Sequence, residues 1–356
     1  MFNFEFILTE VFISLSLLVL LLVASFVFKE YSLSTSKTSV RFNESYFATL
    51  SFILFLAFLV SVSSFNLYFD NSVFVFGGAL KKNATITIFQ SLILFFGSFI
   101  TFTCRHFTIN NSRFEFSILV GFVILGMLFL ACSNDFISLY LAIEIQGLSA
   151  YILTSYLTFS AYSTEAGLKY FVLGSLSSGI MLFGFALIYA VTGSTCFSDI
   201  QTFLLFSSNS SVLTSMADQI LFVGFLFSLV GLFFKIGSFP FQWYLPDVYE
   251  GAPVFSAAFF AVVTKAGVIA ILATLLFDVL YVIQSKFTLF FIVSIAGSFI
   301  TGILGAFFQQ NIRRFFAYSS ITHVSFFIIS LLCFESGGVE VLVTYLAIYM
   351  FTSLAV

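Results

Sequence analysis

Apolar runs of membrane-crossing length follow one another along this chain with scarcely a polar stretch between them. That pattern constrains the fold more than any other feature. A run of about 20 apolar residues reads as a transmembrane helix. Eleven such runs are found, at residues 5–28, 46–69, 84–104, 114–133, 135–159, 166–191, 219–247, 253–277, 287–308, 313–333 and 339–356. Charged residues are 8% of the chain and mean hydropathy is +1.13. A soluble domain carries about 25% charged residues. So few charges cannot cover a water-facing surface, and lipid must be the solvent for most of the chain. The longest polar break, Thr192 to Asp218, holds seven serines and reads as a loop. The expected fold is all-α: a polytopic transmembrane helical protein of about 11 helices.

The cationic residues outside the span interiors set an orientation. Lys169, Lys235 and Lys265 fall within helices, which leaves 10 of the 13 basic residues. Lys29, Lys37, Arg41, Arg105, Arg113, Arg313 and Arg314 fall on the side opposite the N-terminus, and only Lys81, Lys82 and Lys286 on the N-terminal side. The positive-inside rule therefore predicts an outer N-terminus.

Other classes are weakly supported. No basic patch interleaved with aromatics suggests nucleic acid. Cys104, Cys132, Cys196 and Cys333 stand singly, without metal or redox spacing. No nucleotide-binding glycine fingerprint, flavin motif or cysteine cluster is present, so no cofactor is expected on this chain. Residues Met1 to Glu10 carry two acids and no Lys or Arg, unlike a secretory or transit peptide. The 56 phenylalanines fit a T-rich coding sequence, as in an organellar genome or an AT-rich bacterium.

Several ionisable residues lie where lipid penalises them. A charge at mid-bilayer costs about 2.5–3.5 kcal/mol on insertion scales, and such residues are usually functional. Glu144 is about 9 residues into the fifth run and Lys265 about 12 into the eighth, roughly 13 and 18 Å deep at 1.5 Å per residue. His323 lies at a similar depth in the tenth, beside Ser319, Ser320 and Thr322. The bland alternative is a set of buried pairs that only fix helix packing. Lys169 is about a turn inside the sixth run, where its ammonium can also snorkel to the surface.

The seventh run carries the strongest chemical signal, Phe234-Lys235-Ile236-Gly237-Ser238-Phe239-Pro240. Pro240 lacks an N–H and crowds the preceding turn, freeing the carbonyl of Ile236; Gly237 loosens the same stretch. Irregular backbone at membrane depth is tolerated only inside protein or beside a water-filled cavity, and broken helices of this kind build ion sites in transporters. A simple proline kink is the alternative. A buried amine suits proton transfer, because burial disfavours its charge while a nearby carboxylate restores it. In the sixth run, Gly174-Ser175-Leu176-Ser177-Ser178-Gly179 places small residues where a neighbour can approach closely.

Four segments carry a resemblance that runs from about residue 115 to the end. They are Ser133-Asn134-Asp135-Phe136 through Glu144 to Tyr151; Glu165-Ala166-Gly167-Leu168-Lys169-Tyr170-Phe171 on to Gly193-Ser194; Phe234-Lys235 through Pro240-Phe241-Gln242-Trp243 to Pro246-Asp247-Val248-Tyr249-Glu250-Gly251-Ala252-Pro253; and Asn311-Ile312-Arg313-Arg314 with Ala317-Tyr318-Ser319-Ser320 and His323. On these the chain resembles the antiporter-like subunit 2 family of mitochondrial NADH:ubiquinone oxidoreductase (complex I), the bacterial chain N type.

The resemblance implies two inverted five-helix repeats after an N-terminal helical group: 1–113 N-terminal, 114–277 the first repeat with its break near 235–240, and 287–356 an incomplete second repeat. It implies proton translocation, with Glu144 and Lys235 in the first half-channel, Lys169 on the sixth helix, Lys265 leading to the second half and His323 at its centre. NADH, FMN, iron–sulfur clusters and ubiquinone would belong to other subunits. Expected partners are other complex I membrane-arm subunits, membrane lipids and a second polypeptide supplying the missing C-terminal helices. The expected location is the mitochondrial inner membrane, with the N-terminus in the intermembrane space. The alternatives are a subunit of a multisubunit cation/proton antiporter and a non-conducting scaffold of the same fold.

Overall fold

Backbone N–H and C=O groups have no water to bond in a bilayer, so an apolar run closes its hydrogen bonds within itself as helix. A computed structural model of the chain describes residues 7–31, 36–68, 72–104, 115–209, 215–333 and 337–355, with backbone alone for 27–31, 36–43, 207–209 and 215. The helices are α1 (Leu8–Tyr31), α2 (Ser36–Ser64), α3 (Ala84–Cys104), α4 (Glu115–Cys132), α5 (Phe136–Thr154), α6 (Ala161–Thr192) and α7 (Phe197–Asn209). After them come α8 (Ser215–Ile236), α9 (Tyr244–Gly251), α10 (Val254–Val262), α11 (Thr264–Thr274), α12 (Gln284–Phe307), α13 (Ile312–Leu332) and α14 (Gly338–Ala355). Arg105, Arg113 and Val356, named above, lie outside the described residues, as do the side chains of Lys29, Lys37 and Arg41.

Among the described residues, ten stretches are long and apolar enough to cross a membrane, and one of them, Val254–Phe307, is 54 residues long. Fifty-four residues make about 80 Å of helix at 1.5 Å per residue, against a hydrocarbon core of roughly 30 Å. A π-turn at Leu275–Val279 and a 3₁₀ turn at Leu280–Ile283 divide it into two crossings, which restores the expected eleven.

The centre and rim of the bundle differ in how much lipid they meet. In α4, 78% of the span is buried, against 28% in both α1 and α14. Small residues let the central helices touch: a Cβ on Gly126 of α4 would lie 2.8 Å from the Gln146 nitrogen of α5, and one on Gly267 of α11 would lie 2.3 Å from Met127 Sδ of α4. The close approach of α6 to α8 falls at Gly184 against the Gly224 carbonyl oxygen, 2.6 Å from a built Cβ. It does not fall in the Gly174–Gly179 stretch, where Gly179 faces open space and Gly174 faces a tyrosine of α5.

Three features depart from the expectations. The serine-rich break contains α7, because Phe197, Ile200 and Leu204 recur at helical spacing and are buried together. A two-stranded hairpin, β1 (Val73–Val75) and β2 (Leu80–Lys82), precedes α3. It is fastened to the start of α5 by Asn134 N–H to the Ala79 carbonyl (2.9 Å) and Asn134 Nδ2 to the Gly78 carbonyl (2.8 Å). The seventh run is fully broken rather than kinked. α8 stops at Ile236, and Gly237 takes φ +79°, a left-handed conformation that favours glycine. The N–H groups of Gly237 and Ser238 then bond the carbonyls of Phe234 and Phe233, a Schellman closure. A Cβ on Gly237 would also lie 2.2 Å from Leu245 Cδ1, so no larger residue fits there without rearrangement.

Candidate functional site

The broken end of α8 delivers Lys235 to the face of α5 that carries Glu144, Gly147 and Tyr151, at i, i+3 and i+7. Gly147 makes room for the ammonium: a Cβ there would lie 3.2 Å from Lys235 Nζ and 3.3 Å from Tyr151 Oη. The ammonium donates to Tyr151 Oη at 2.9 Å and stands 5.3 Å from that ring's centroid. Glu144 makes no ion pair within 4 Å among the described residues, yet its charge acts on Lys235 through space. Lys235 and Glu144 are both only partly buried. The pair is therefore adjacent without being closed.

Aromatic rings continue from this pair. Tyr151 meets Tyr170 of α6 edge-on at 4.6 Å, Tyr170 stacks on Tyr244 of α9 at 5.3 Å, and Tyr244 stacks on Phe234 at 4.4 Å. Tyr244 Oη caps the break by donating to the Phe234 carbonyl at 2.7 Å. Gly174 is required here, since a Cβ would lie 2.1 Å from Tyr151 Oη.

A second centre lies among α10, α11, α13 and α14. Lys265 is 3% exposed, at the start of α11, where Val263 links α10 to α11 with helical backbone. Its ammonium donates to the Ser320 carbonyl at 3.1 Å and stands 5.8 Å from the Tyr349 ring centroid. His323, one turn along α13 from Ser320, shares a 2.8 Å hydrogen bond between Nδ1 and Tyr345 Oη and feels the charge of Lys265. Tyr249 of α9 lies against the Ser320 side chain of α13, so the element after the break reaches the second centre directly.

The five ionisable residues singled out by sequence thus separate. Glu144 with Lys235 forms one centre, and Lys265 with His323 another. Lys169 belongs to neither. It is 45% exposed and pairs with Glu165 at 2.8 Å and Asp247 at 2.9 Å. Those groups line a cavity of about 230 Å³ with Tyr162, Glu250 and Arg314. Arg314 also bridges Asp247 at 3.1 Å and Glu250 more closely, tying α13 to α9. The residue that enters the first centre from α6 is Lys169's neighbour Tyr170. The tyrosines were not singled out, because in an apolar run a tyrosine reads as packing; the i, i+3, i+7 spacing of Glu144, Gly147 and Tyr151 was the available signal.

A bundle of membrane-length helices with one helix broken beside a partly buried lysine matches the discontinuous-helix pattern that builds ion sites in transporters. The profile of the NADH:quinone oxidoreductase/Mrp antiporter transmembrane family matches residues 133–356, and the chain belongs to that family. Among its relatives, NADH-quinone oxidoreductase subunit N of Paramagnetospirillum magneticum is 38% identical over 239 residues, covering 67% of this chain and 48% of that protein. Subunit N 1 of Rhizobium meliloti is 40% identical over 242 residues, covering 68% of this chain and 49% of the relative. The chain thus spans about half the length of these relatives. A chain of respiratory complex I from Thermus thermophilus superposes with TM-score 0.74 at 25% identity, covering 97% of this chain and 68% of that one. A chain of the Mrp complex from a Dietzia species has the same fold, with TM-score 0.77 at 20% identity, covering 99% of this chain and 63% of that one.

Proposed function

We propose that the chain is a proton-translocating membrane-arm subunit of a respiratory NADH:quinone oxidoreductase, a non-redox part of the enzyme. One observation carries the reading: at the broken end of α8, the Lys235 ammonium has a single hydrogen-bond partner among the described residues, Tyr151, with Glu144 nearby but in no ion pair there. Attraction by the Glu144 carboxylate holds a proton on Lys235. Neutralising or withdrawing that carboxylate removes the attraction, and the proton can pass onward through water toward Lys265 and His323. Electron transfer, with NADH, FMN, iron–sulfur clusters and ubiquinone, is assigned to other subunits, in keeping with the lack of cofactor motifs here.

The relatives named subunit N support this reading over a separate cation/proton antiporter, whose Mrp representative shares the fold at lower identity. The phenylalanine-rich composition supports a mitochondrial inner membrane, and the lysine and arginine bias supports an intermembrane-space N-terminus. Other membrane-arm subunits are the proposed neighbours, including a polypeptide beside α14, the helix least enclosed along with α1. The test replaces Lys235 by Ala and compares proton uptake per NADH oxidised in complexes that assemble on native gels. Loss of uptake supports the reading; full uptake in assembled complex contradicts it.

A further inference from the structure

Another Glu–Lys pair, outside both centres, is fully buried. Inward-facing residues of α1 recur at helical spacing as Glu10, Ile13, Leu17 and Ala24, all buried, while Leu15, Leu18, Leu22 and Phe26 face outward. Glu10 therefore sits on the docking stripe of α1, where an unpaired carboxylate would be costly. Lys82, the last residue of β2, meets it at 2.8 Å, and the two side chains are 1% and 3% exposed.

The network around the pair is closed. The Glu10 carboxylate accepts from Lys82 Nζ, Gln90 Nε2 at 2.6 Å, Thr9 Oγ1 at 2.7 Å and the Cys132 thiol at 3.2 Å. The three ammonium protons of Lys82 reach Glu10, Gln90 Oε1 at 2.7 Å and Thr9 Oγ1 at 3.2 Å. Gln90 of α3 thus turns its oxygen to the lysine and its nitrogen to the glutamate. It also bonds the Leu128 carbonyl of α4 at 3.2 Å. Tyr68, buried in the 3₁₀ turn that follows α2, faces the same charges. Four elements that separately need a polar partner find it at one point, and no donor of the ammonium is left for a substrate proton.

We propose that Glu10, Lys82 and Gln90 form a polar lock that docks α1 on α3 and α4 and stays shut while protons move elsewhere. All four of its elements precede the segment matched to the family, which begins at residue 133, directly after Cys132. The lock thus fastens the N-terminal helices to one another. A buried pair of this type fixes register rather than adding much stability, and loss of one partner leaves a charge with nowhere to go.

Cys132, sealed inside the lock, reports its state. Native membranes carrying the chain are treated with N-ethylmaleimide, and labelling of each cysteine is followed by mass spectrometry, with exposed Cys333 as the reference. Cys132 should label at least about a hundredfold more slowly than Cys333. Glu10→Gln or Lys82→Met should raise the Cys132 rate about a hundredfold, as expected when one partner of a buried pair is lost. The triple variant Glu10→Leu, Lys82→Met, Gln90→Leu, which leaves no unpaired head group, should accumulate with Cys132 protected, and this arm decides the matter if the single variants are degraded. Adding NADH should leave the Cys132 rate unchanged. That arm rests on the proposed function, whereas the other arms do not. Labelling of Cys132 as fast as Cys333, unchanged protection in the single variants, failure of the triple variant to accumulate, or exposure of Cys132 during NADH oxidation would each overturn the lock.

Discussion

Glu10–Lys82 and Glu144–Lys235 are built from the same two side chains and held in opposite ways. At the first, carboxylate and ammonium touch at 2.8 Å and every ammonium proton has an acceptor. At the second, the ammonium has one hydroxyl, and the carboxylate acts from beyond ion-pair distance. Closure makes a buried pair a fastener. Incompleteness at a helix break leaves the other free to change partners, which the proposed proton transfer requires. The number of partners, not the residue types, separates the roles.

The comparison breaks most visibly on stability. Lys82→Met should destabilise the chain by about 3–5 kcal/mol, because Glu10 is left as an unpaired buried charge. Thermal unfolding of the purified complex, followed on this subunit, measures it. Lys235→Met should cost much less, since Lys235 is partly buried and Glu144 has no close partner to lose. Similar losses at both positions would erase the distinction.

Steric probes sharpen it next. Gly174→Ala drives a methyl into the Tyr151 hydroxyl, and overpacking of this kind costs roughly 1–3 kcal/mol. Its proton uptake per NADH should fall, since Tyr151 must move off Lys235. Tyr151→Phe removes the single hydrogen bond to the ammonium, a charged-group bond worth about 1.5–3 kcal/mol. Slower uptake with assembly intact is expected, and unchanged uptake would remove Tyr151 from the path. The smallest effect is expected at Lys169. Its pairs are exposed, so Lys169→Ala should change stability little and leave uptake near normal. A large loss of uptake would return Lys169 to the path.

Residues whose role depends on depth along the chain were legible in the sequence. Hydropathy counts positions, so Glu144, Lys235, Lys265 and His323 could be placed near mid-span, and Gly237 with Pro240 announced the break. Residues whose role depends on lateral neighbours were not. Glu10 looked like a terminal acid and Lys82 like a loop cation, because the partner that buries each is more than seventy residues away in the chain. The partners of Lys169 were hidden for the same reason: its depth of about a turn allowed snorkelling, and its partner Asp247 stands on α9, far along the chain. The helix α7 was missed because serine counting outweighed three apolar residues at helical spacing.

The central claim is that the incomplete pair carries protons. The most direct measurement is the number of protons taken up per NADH oxidised in proteoliposomes holding assembled complexes with Lys235→Ala, Lys235→Arg or no change. The account predicts that NADH oxidation persists in uncoupled vesicles, that uptake falls in both variants, and that Arg, which does not release its proton, fails as fully as Ala. An unaltered proton-to-NADH ratio in either assembled variant would contradict it.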